Sequence, residues 1–310
     1  MAARPILGTM NFGGRTPREE ALRILDRAVE RGLTEIDTAN VYGEGETERI
    51  LGVGLQGRRQ RFRLVSKVGI GSFKGPAEGL RAARIEAGVT GILERLGTDR
   101  LEGLYLHAPD FKTPLEETLQ AISQEIARGR IGFFGISNYG AWRALELVQC
   151  CDRLSIPRPK SAQMLYNLSL RDLEHEWFSF ARTYSLETHI YNPLAGGLLT
   201  GRFSRETPPG PGSRIGDSAR YQKRYGTPRM FALSEELSAL AAAHGTTPVR
   251  LAYGWAAARP EVDAIVLGPA TVEQLDQALD ALEQPLDPGL LRAVGQLSAA
   301  FRGSDGSYAR

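Results

Sequence analysis

A chain of 310 residues with 42% hydrophobic and 24% charged side chains has the composition of a globular protein with a sizeable core, which excludes intrinsic disorder. A formal net charge of +2 is too small to recognise nucleic acid or an anionic membrane without a local basic patch, so neither is expected as a partner. Two cysteines, the neighbours Cys150 and Cys151, build neither a disulfide framework nor a metal site of ligand spacing; a reducing, cytoplasmic setting and no metal are expected.

Residues 1–7 carry one Arg and no long apolar stretch, so no signal peptide is expected there. No run approaches the roughly 18 apolar residues of a membrane span. From there short apolar runs alternate with helix-length amphipathic segments. The runs predict strands at 6–9, 33–37, 62–67, 101–107, 131–137, 161–164, 188–192 and 262–267. Between them the patterning predicts helices near 17–31, 45–56, 77–96, 115–128, 140–151, 170–185, 247–258 and 271–282. Thr16-Pro17, Thr113-Pro114 and Thr247-Pro248 each read as a hydroxyl cap followed by a first-turn proline. Thr271 with Gln274 has the spacing of a capping box. Eight alternations without a linker predict an α/β fold in which residues 1–310 form one domain, a single (β/α)8 TIM barrel.

Residues 195–230, rich in Gly, Pro and Arg, are too long for an ordinary connection and predict a functional loop after strand seven. Residues 230–244 and 287–302 predict extra helices, with the tail from 301 to 310 lying over one face of the barrel.

In a parallel barrel the side chains that do chemistry sit at the carboxyl ends of the strands. Those positions are Asp37, Lys67, His107, Ser137 with Asn138, Gln163, and Tyr191 with Asn192: six successive strands ending in a hydrogen-bonding residue. Tyr42 follows the second strand closely. A free phenol has a pKa near 10, so Tyr42 alone is a poor acid. Lys67 is expected to lower that value, with Asp37 holding the lysine charged and aligned. His107, as neutral imidazole, is expected to orient a carbonyl oxygen, which then takes a proton from Tyr42 while its carbon takes hydride. No side chain supplies hydride, so a nicotinamide is implied. Ser137, Asn138 and Gln163 offer the donors and acceptors that a carboxamide needs, and Tyr191 a ring to stack on it.

These segments resemble the aldo-keto reductase superfamily. The resemblance is carried by Asp37-Thr38-Ala39 with Tyr42-Gly43, by 93–99 leading to His107, by Gly135-Ile136-Ser137-Asn138, and by 191–201, Tyr-Asn-Pro-Leu-Ala-Gly-Gly-Leu-Leu-Thr-Gly. The segment 163–167 is nearest to the branch of aflatoxin-aldehyde reductases and potassium-channel β-subunits. The resemblance implies a catalytic tetrad of Asp37, Tyr42, Lys67 and His107, with Tyr42 the general acid. It implies NADPH/NADP+ rather than NADH, extended across the barrel mouth over Thr9, Met10, Asp37, Ser137, Asn138, Gln163, Tyr191, Asn192, Pro193, Leu194 and Gly196. At the adenine end many members place a Lys and an Arg where this chain has Gly268 and Gln274, and Gln277-Ala278 stands for a common Glu-Asn pair. Arg202 and Arg214 match the basic contacts that the channel-subunit branch takes from the loop after strand seven, so that loop is expected to hold the 2′-phosphate.

The expected substrate is a small-molecule carbonyl meeting Met10, Phe12, Tyr42, His107 and Tyr221, on a rim that also takes in Phe73, Phe111, Tyr139 and Met164. Arg220, Lys223 and Arg224 form a basic cluster that either covers the substrate or is solvated surface. No protein partner is readable. Two other functions remain open at this level: a Schiff-base lyase using Lys67, and a subunit that senses nicotinamide cofactor with slow turnover. Gly52-Val53-Gly54-Leu55-Gln56-Gly57 matches the dinucleotide fingerprint in letters alone, because a helix precedes it instead of a strand. His175, His189 and His244 lack ligand spacing and read as structural.

Overall fold

The computed structural model describes residues 3–71 and 78–302. Eight parallel strands close into a barrel, each hydrogen-bonded to its sequence neighbour and the last to the first. They are β1 (Arg4–Gly8), β2 (Glu35–Asp37), β3 (Arg63–Val68), β4 (Leu101–Leu106), β5 (Ile131–Ser137), β6 (Ser161–Leu165), β7 (Glu187–Tyr191) and β8 (Ala264–Leu267). The outer layer is α1 (Arg18–Glu30), α2 (Glu46–Gly54), α3 (Ala82–Leu96), α4 (Leu115–Ala127), α5 (Ala141–Leu154), α6 (Trp177–Thr183), α9 (Pro248–Ala257) and α10 (Val272–Glu283). Among the described residues three further helices are present, α7 (Ala219–Tyr225), α8 (Pro228–Ala243) and α11 (Pro288–Arg302). The (β/α)8 barrel with additions is the fold expected from the sequence. None of the described helices is long and apolar enough to cross a membrane.

The helices form because their apolar residues recur at helical spacing. In α1 the buried set is Ala21, Ile24, Leu25 and Ala28, one stripe facing the strands. Strands such as β4 are buried almost throughout, as parallel strands covered by helices must be. The letters of the dinucleotide fingerprint fall at the end of α2 and have a packing cause. A Cβ on Gly52 would stand 2.6 Å from the Arg95 carbonyl oxygen of α3, and one on Gly54 2.5 Å from Leu25 of α1. These glycines let three helices approach.

Two of the three predicted Thr-Pro caps do not form. Thr16 gives its hydroxyl to the Ala270 carbonyl and Thr113 gives its own to Asp110, so α1 and α4 start at a proline N-cap without a side-chain bond. A tertiary acceptor in the first case, and a carboxylate three residues back in the second, outcompeted the cap. Thr247 does cap α9 through the Arg250 N–H, and Thr271 caps α10 through that of Gln274, whose side-chain Oε1 accepts from the Ala270 N–H. Thr227-Pro228 carries the same signature and starts α8 two residues before the expected 230. Helix α6 is much shorter than the expected 170–185 because the Asn167 side chain takes the Ser169 and Leu170 N–H groups into a turn. The loop after β7 is a 3-10 turn, Ala195–Thr200, followed by irregular chain and α7. Phe73 and the tail from 303 lie outside the described residues.

Candidate active site

The tetrad assembles from three adjacent strands. Asp37 ends β2, Lys67 is the penultimate residue of β3, and His107 directly follows β4. Past its last residue the β2 chain keeps donating to β3, from the Thr38 N–H to the Val65 carbonyl and from the Asn40 N–H to that of Lys67. That extension fixes the turn carrying Tyr42 against β3. Left-handed backbone at Gly43, Glu44 and Gly45, φ 53, 53 and 88°, then turns the chain into α2.

Lys67 Nζ donates to Asp37 Oδ1 at 2.5 Å and to the Thr38 carbonyl at 2.8 Å, and stands 3.4 Å from Tyr42 Oη. The ring of His107 meets that of Tyr42 edge-on, with centroids 6.0 Å apart. Lys67 has no exposed surface, and Tyr42 and His107 only 7% and 6%. A carbonyl oxygen in the angle between phenol and imidazole meets a proton donor and an orienting group together.

The charge balance differs from the sequence expectation. Burial holds the Tyr42 phenol well above its ordinary range, reinforced by the Asp37 carboxylate and only partly opposed by Arg214. The neighbouring ammonium does not bring the resting phenol down, so Tyr42 keeps its proton, as a donor must. What the Lys67 ammonium can do at 3.4 Å is stabilise a phenolate, were one to form. Burial also lowers the Lys67 ammonium, which Asp37 opposes. His107 is held well below its ordinary value by burial, then by the charges of Lys67 and Arg220, so it is the neutral imidazole expected. Consequently kcat/KM for reduction should stay level through the neutral range and fall only on the alkaline side, as Tyr42 or Lys67 gives up its proton. An acid limb near the ordinary histidine value of about 6.5 would show that His107 titrates freely.

Around the tetrad the polar strand ends interlock. Ser137 Oγ donates to the Gln163 carbonyl, Asn138 Nδ2 to that of His107, and the Tyr191 hydroxyl to Asn138 Oδ1. Gln163 Nε2 donates to Asp37 Oδ2 at 2.7 Å, so the residue expected beside a carboxamide also braces the Asp37 carboxylate. Asn138, Asn192 and Ala195 all hold positive φ, 64, 63 and 51°. Asparagine visits this region readily, so Ala195 is the strained one of the three. Asn192 Oδ1 accepts from the Gly196 N–H, and Pro193 and Leu194 lie in this turn, buried and half-buried.

The loop after β7 reaches back over the mouth. Arg214 donates to Asn11 Oδ1 at 2.5 Å, approaches Met10 Sδ at 3.3 Å and lies over the Tyr221 ring. Asn11 in turn donates to the Gly268 and Pro269 carbonyls, so three loops are tied at one point. Sequence reading passed over Asn11; its signal was its place just past the end of β1. Thr9 is buried, its hydroxyl on the Asp37 carbonyl. Arg202 lies instead over Phe203, and Gln274 has its side-chain Oε1 occupied by the Ala270 N–H. Gln277 is exposed, and beyond Gly268 a Cβ would meet nothing within 4 Å. Phe12 is a correction: it has no exposed surface and packs in the main core instead of on the rim, because the Thr47 hydroxyl pulls its carbonyl toward α2. Tyr139 is buried too, whereas Met10 and Phe111 are exposed.

A family model described as "Aldo/keto reductase family" matches residues 6–298. The chain is 34% identical to aflatoxin B1 aldehyde reductase member 2 of Homo sapiens, over 94% of its own length and 85% of that protein's. It is 35% identical to aldo-keto reductase family 7 member A3 of Homo sapiens, over 95% and 94%. Against the uncharacterized oxidoreductase YrpG of Bacillus subtilis (strain 168) the identity is 32% over 95% and 92%. A barrel alone would leave the activity undecided, but matches that span nearly the whole chain do not: it belongs to the aldo/keto reductase family, oxidoreductases acting on carbonyl groups.

Proposed function

We propose that this protein reduces a small-molecule aldehyde or ketone to its alcohol at the expense of NADPH, with Tyr42 as general acid. The observation that carries this reading is the buried line of Asp37, Lys67 and Tyr42, closed at 2.5 and 3.4 Å with neutral His107 facing the phenol. The residues present fit a nicotinamide. Gln163 and Ser137 offer carboxamide partners, the Tyr191 ring flanks the mouth, and the space above Gly268 is open. When bound, the reduced nicotinamide supplies hydride to the carbonyl carbon.

The protein's part is proton chemistry and orientation. His107 directs the carbonyl oxygen toward Tyr42; the phenol O–H breaks as its proton passes to that oxygen; the adjacent ammonium stabilises the phenolate left behind. Exclusion of water strengthens both electrostatic effects. As an ammonium donating to Asp37 and Thr38, Lys67 has no lone pair to offer a carbonyl carbon, which weighs against a Schiff base. The whole chain serves as one catalytic domain in this reading, and buried, unpaired Cys150 and Cys151 suit a reducing cytoplasm.

Arg214 is the residue we assign to the 2′-phosphate, which distinguishes NADPH from NADH. Arg214→Ala is expected to weaken NADPH, measured by quenching of protein fluorescence, by at least about tenfold, the order of one lost charge-assisted bond, with a much smaller change for NADH. Equal losses would remove that assignment. The reading as a whole is tested by absorbance at the reduced-nicotinamide band with a panel of aldehydes, ketones and keto-sugars. Tight cofactor binding without turnover on any of them would favour a sensing subunit.

A further inference from the structure

Below the tetrad the barrel axis holds a second polar set that the reaction described above leaves unused. Tyr105 of β4, Ser161 of β6 and His189 of β7 are 1%, 1% and 5% exposed, where barrels ordinarily stack branched aliphatic side chains. Burying them costs desolvation that only mutual hydrogen bonds offset, and those bonds are present. Tyr105 Oη lies 2.5 Å from Ser161 Oγ and 3.1 Å from His189 Nδ1. The other ring nitrogen, Nε2, lies 3.0 Å from Glu187 Oε2.

The set has two ends. Glu187, its side chain 34% exposed and paired with Arg4, opens to solvent at the floor of the barrel. Along the set lies a cavity of about 10 Å³ whose lining runs from Arg4, Lys160 and Glu187 at the floor past His189 and Tyr105 to Gln163 and Asp37. That volume holds about one water, with polar partners on several sides. Asp37 therefore touches both the cavity and Lys67. One water in that cavity would join the bonded set of Glu187, His189 and Tyr105 to Asp37, Lys67 and Tyr42 as a line of exchangeable protons.

We propose that this column reloads Tyr42 with a proton from the floor of the barrel while ligands cover the mouth. The proposal rests on the reductase reading. Without any ligand Tyr42 is already only 7% exposed and Lys67 fully buried, so mouth-side solvent reaches the phenol poorly. The Tyr42 O–H proton leaves to the carbonyl oxygen, and a Lys67 N–H proton moves onto the phenolate. The lysine regains one by way of Asp37 from the cavity water, and that water is replenished through Tyr105 and His189 from solvent beside Glu187. One proton enters for each carbonyl that gains one hydride and one proton, and no electrons move along the column. Tyr105 and His189 act through Tyr42 and do not touch substrate.

The test is a single turnover with reduced nicotinamide bound, followed in a stopped-flow instrument by nicotinamide absorbance for hydride transfer and by a pH-indicator dye for proton uptake. In the unaltered protein uptake should accompany hydride transfer. In Tyr105→Phe hydride transfer should keep its rate, because Tyr42 starts protonated, while uptake lags by about tenfold or more, a modest share of what a proton-transfer group contributes. His189→Gln should give the same lag and serves if Tyr105→Phe does not fold. Undelayed uptake in either folded variant overturns the proposal, as does uptake in the unaltered protein that waits for alcohol release. Absence of hydride transfer in the unaltered protein with every carbonyl brings down the reductase reading and the column together, so the two failures are distinguishable.

Discussion

Tyr42→Phe is expected to lower kcat for carbonyl reduction by about 10²–10⁴-fold, the range for losing a positioned general acid, while NADPH binds with nearly unchanged affinity. The substitution keeps the ring that meets His107 edge-on and removes only the oxygen 3.4 Å from the Lys67 ammonium. The acidity of this phenol is pushed from both directions, up through burial and Asp37, down through Arg214. Steady-state rates beside fluorescence-measured cofactor affinity check it. A variant turning over like the unaltered protein would mean that another group, or water, protonates the alkoxide.

Lys67→Met should damage the protein twice. Its ammonium and the Asp37 carboxylate are both out of solvent, 2.5 Å apart. Removing one partner leaves the other charge buried, at a cost of about 3–5 kcal/mol. Urea unfolding should therefore show a lower midpoint with an unchanged slope. Activity should fall as well, because nothing then stabilises the phenolate. Adding Asp37→Asn removes the stranded charge and should return much of the lost stability without returning activity. If Lys67→Met were as stable as the parent, the pair would not carry the charges assigned to it. If the double variant recovered activity, the ammonium would have no part in the chemistry.

How much of this was legible in the sequence follows from how local each feature is. Asp37, Lys67 and His107 could be read because an apolar run that stops at a polar residue marks a strand end, and parallel barrels gather those ends. Tyr42 was legible by nearness to Asp37. Most of what escaped depends on distant partners. The hydroxyl of Thr16 was drawn to Ala270, which no local pattern announces; that of Thr113 went to Asp110, a nearby competitor three residues back. Phe12 lies close to a strand end, yet the pull of Thr47 on its carbonyl turns it into the core. The direction of the Tyr42 shift was also misread, since the sequence displays a neighbouring cation but not the burial that outweighs it. His189 read as a structural histidine because its partners Tyr105 and Glu187 come from opposite sides of the barrel axis or share its own strand, and neither spacing resembles a motif.

The tetrad draws only on β2, β3 and β4, whereas the arm over the mouth comes from the connection after β7. In the proposed reading the acid–base groups thus occupy the first third of the chain, and the arm that covers the mouth is written some eighty to a hundred residues later. Such a division lets a lineage rewrite 192–230 step by step and acquire new substrate tastes, with the inherited proton chemistry carried along untouched.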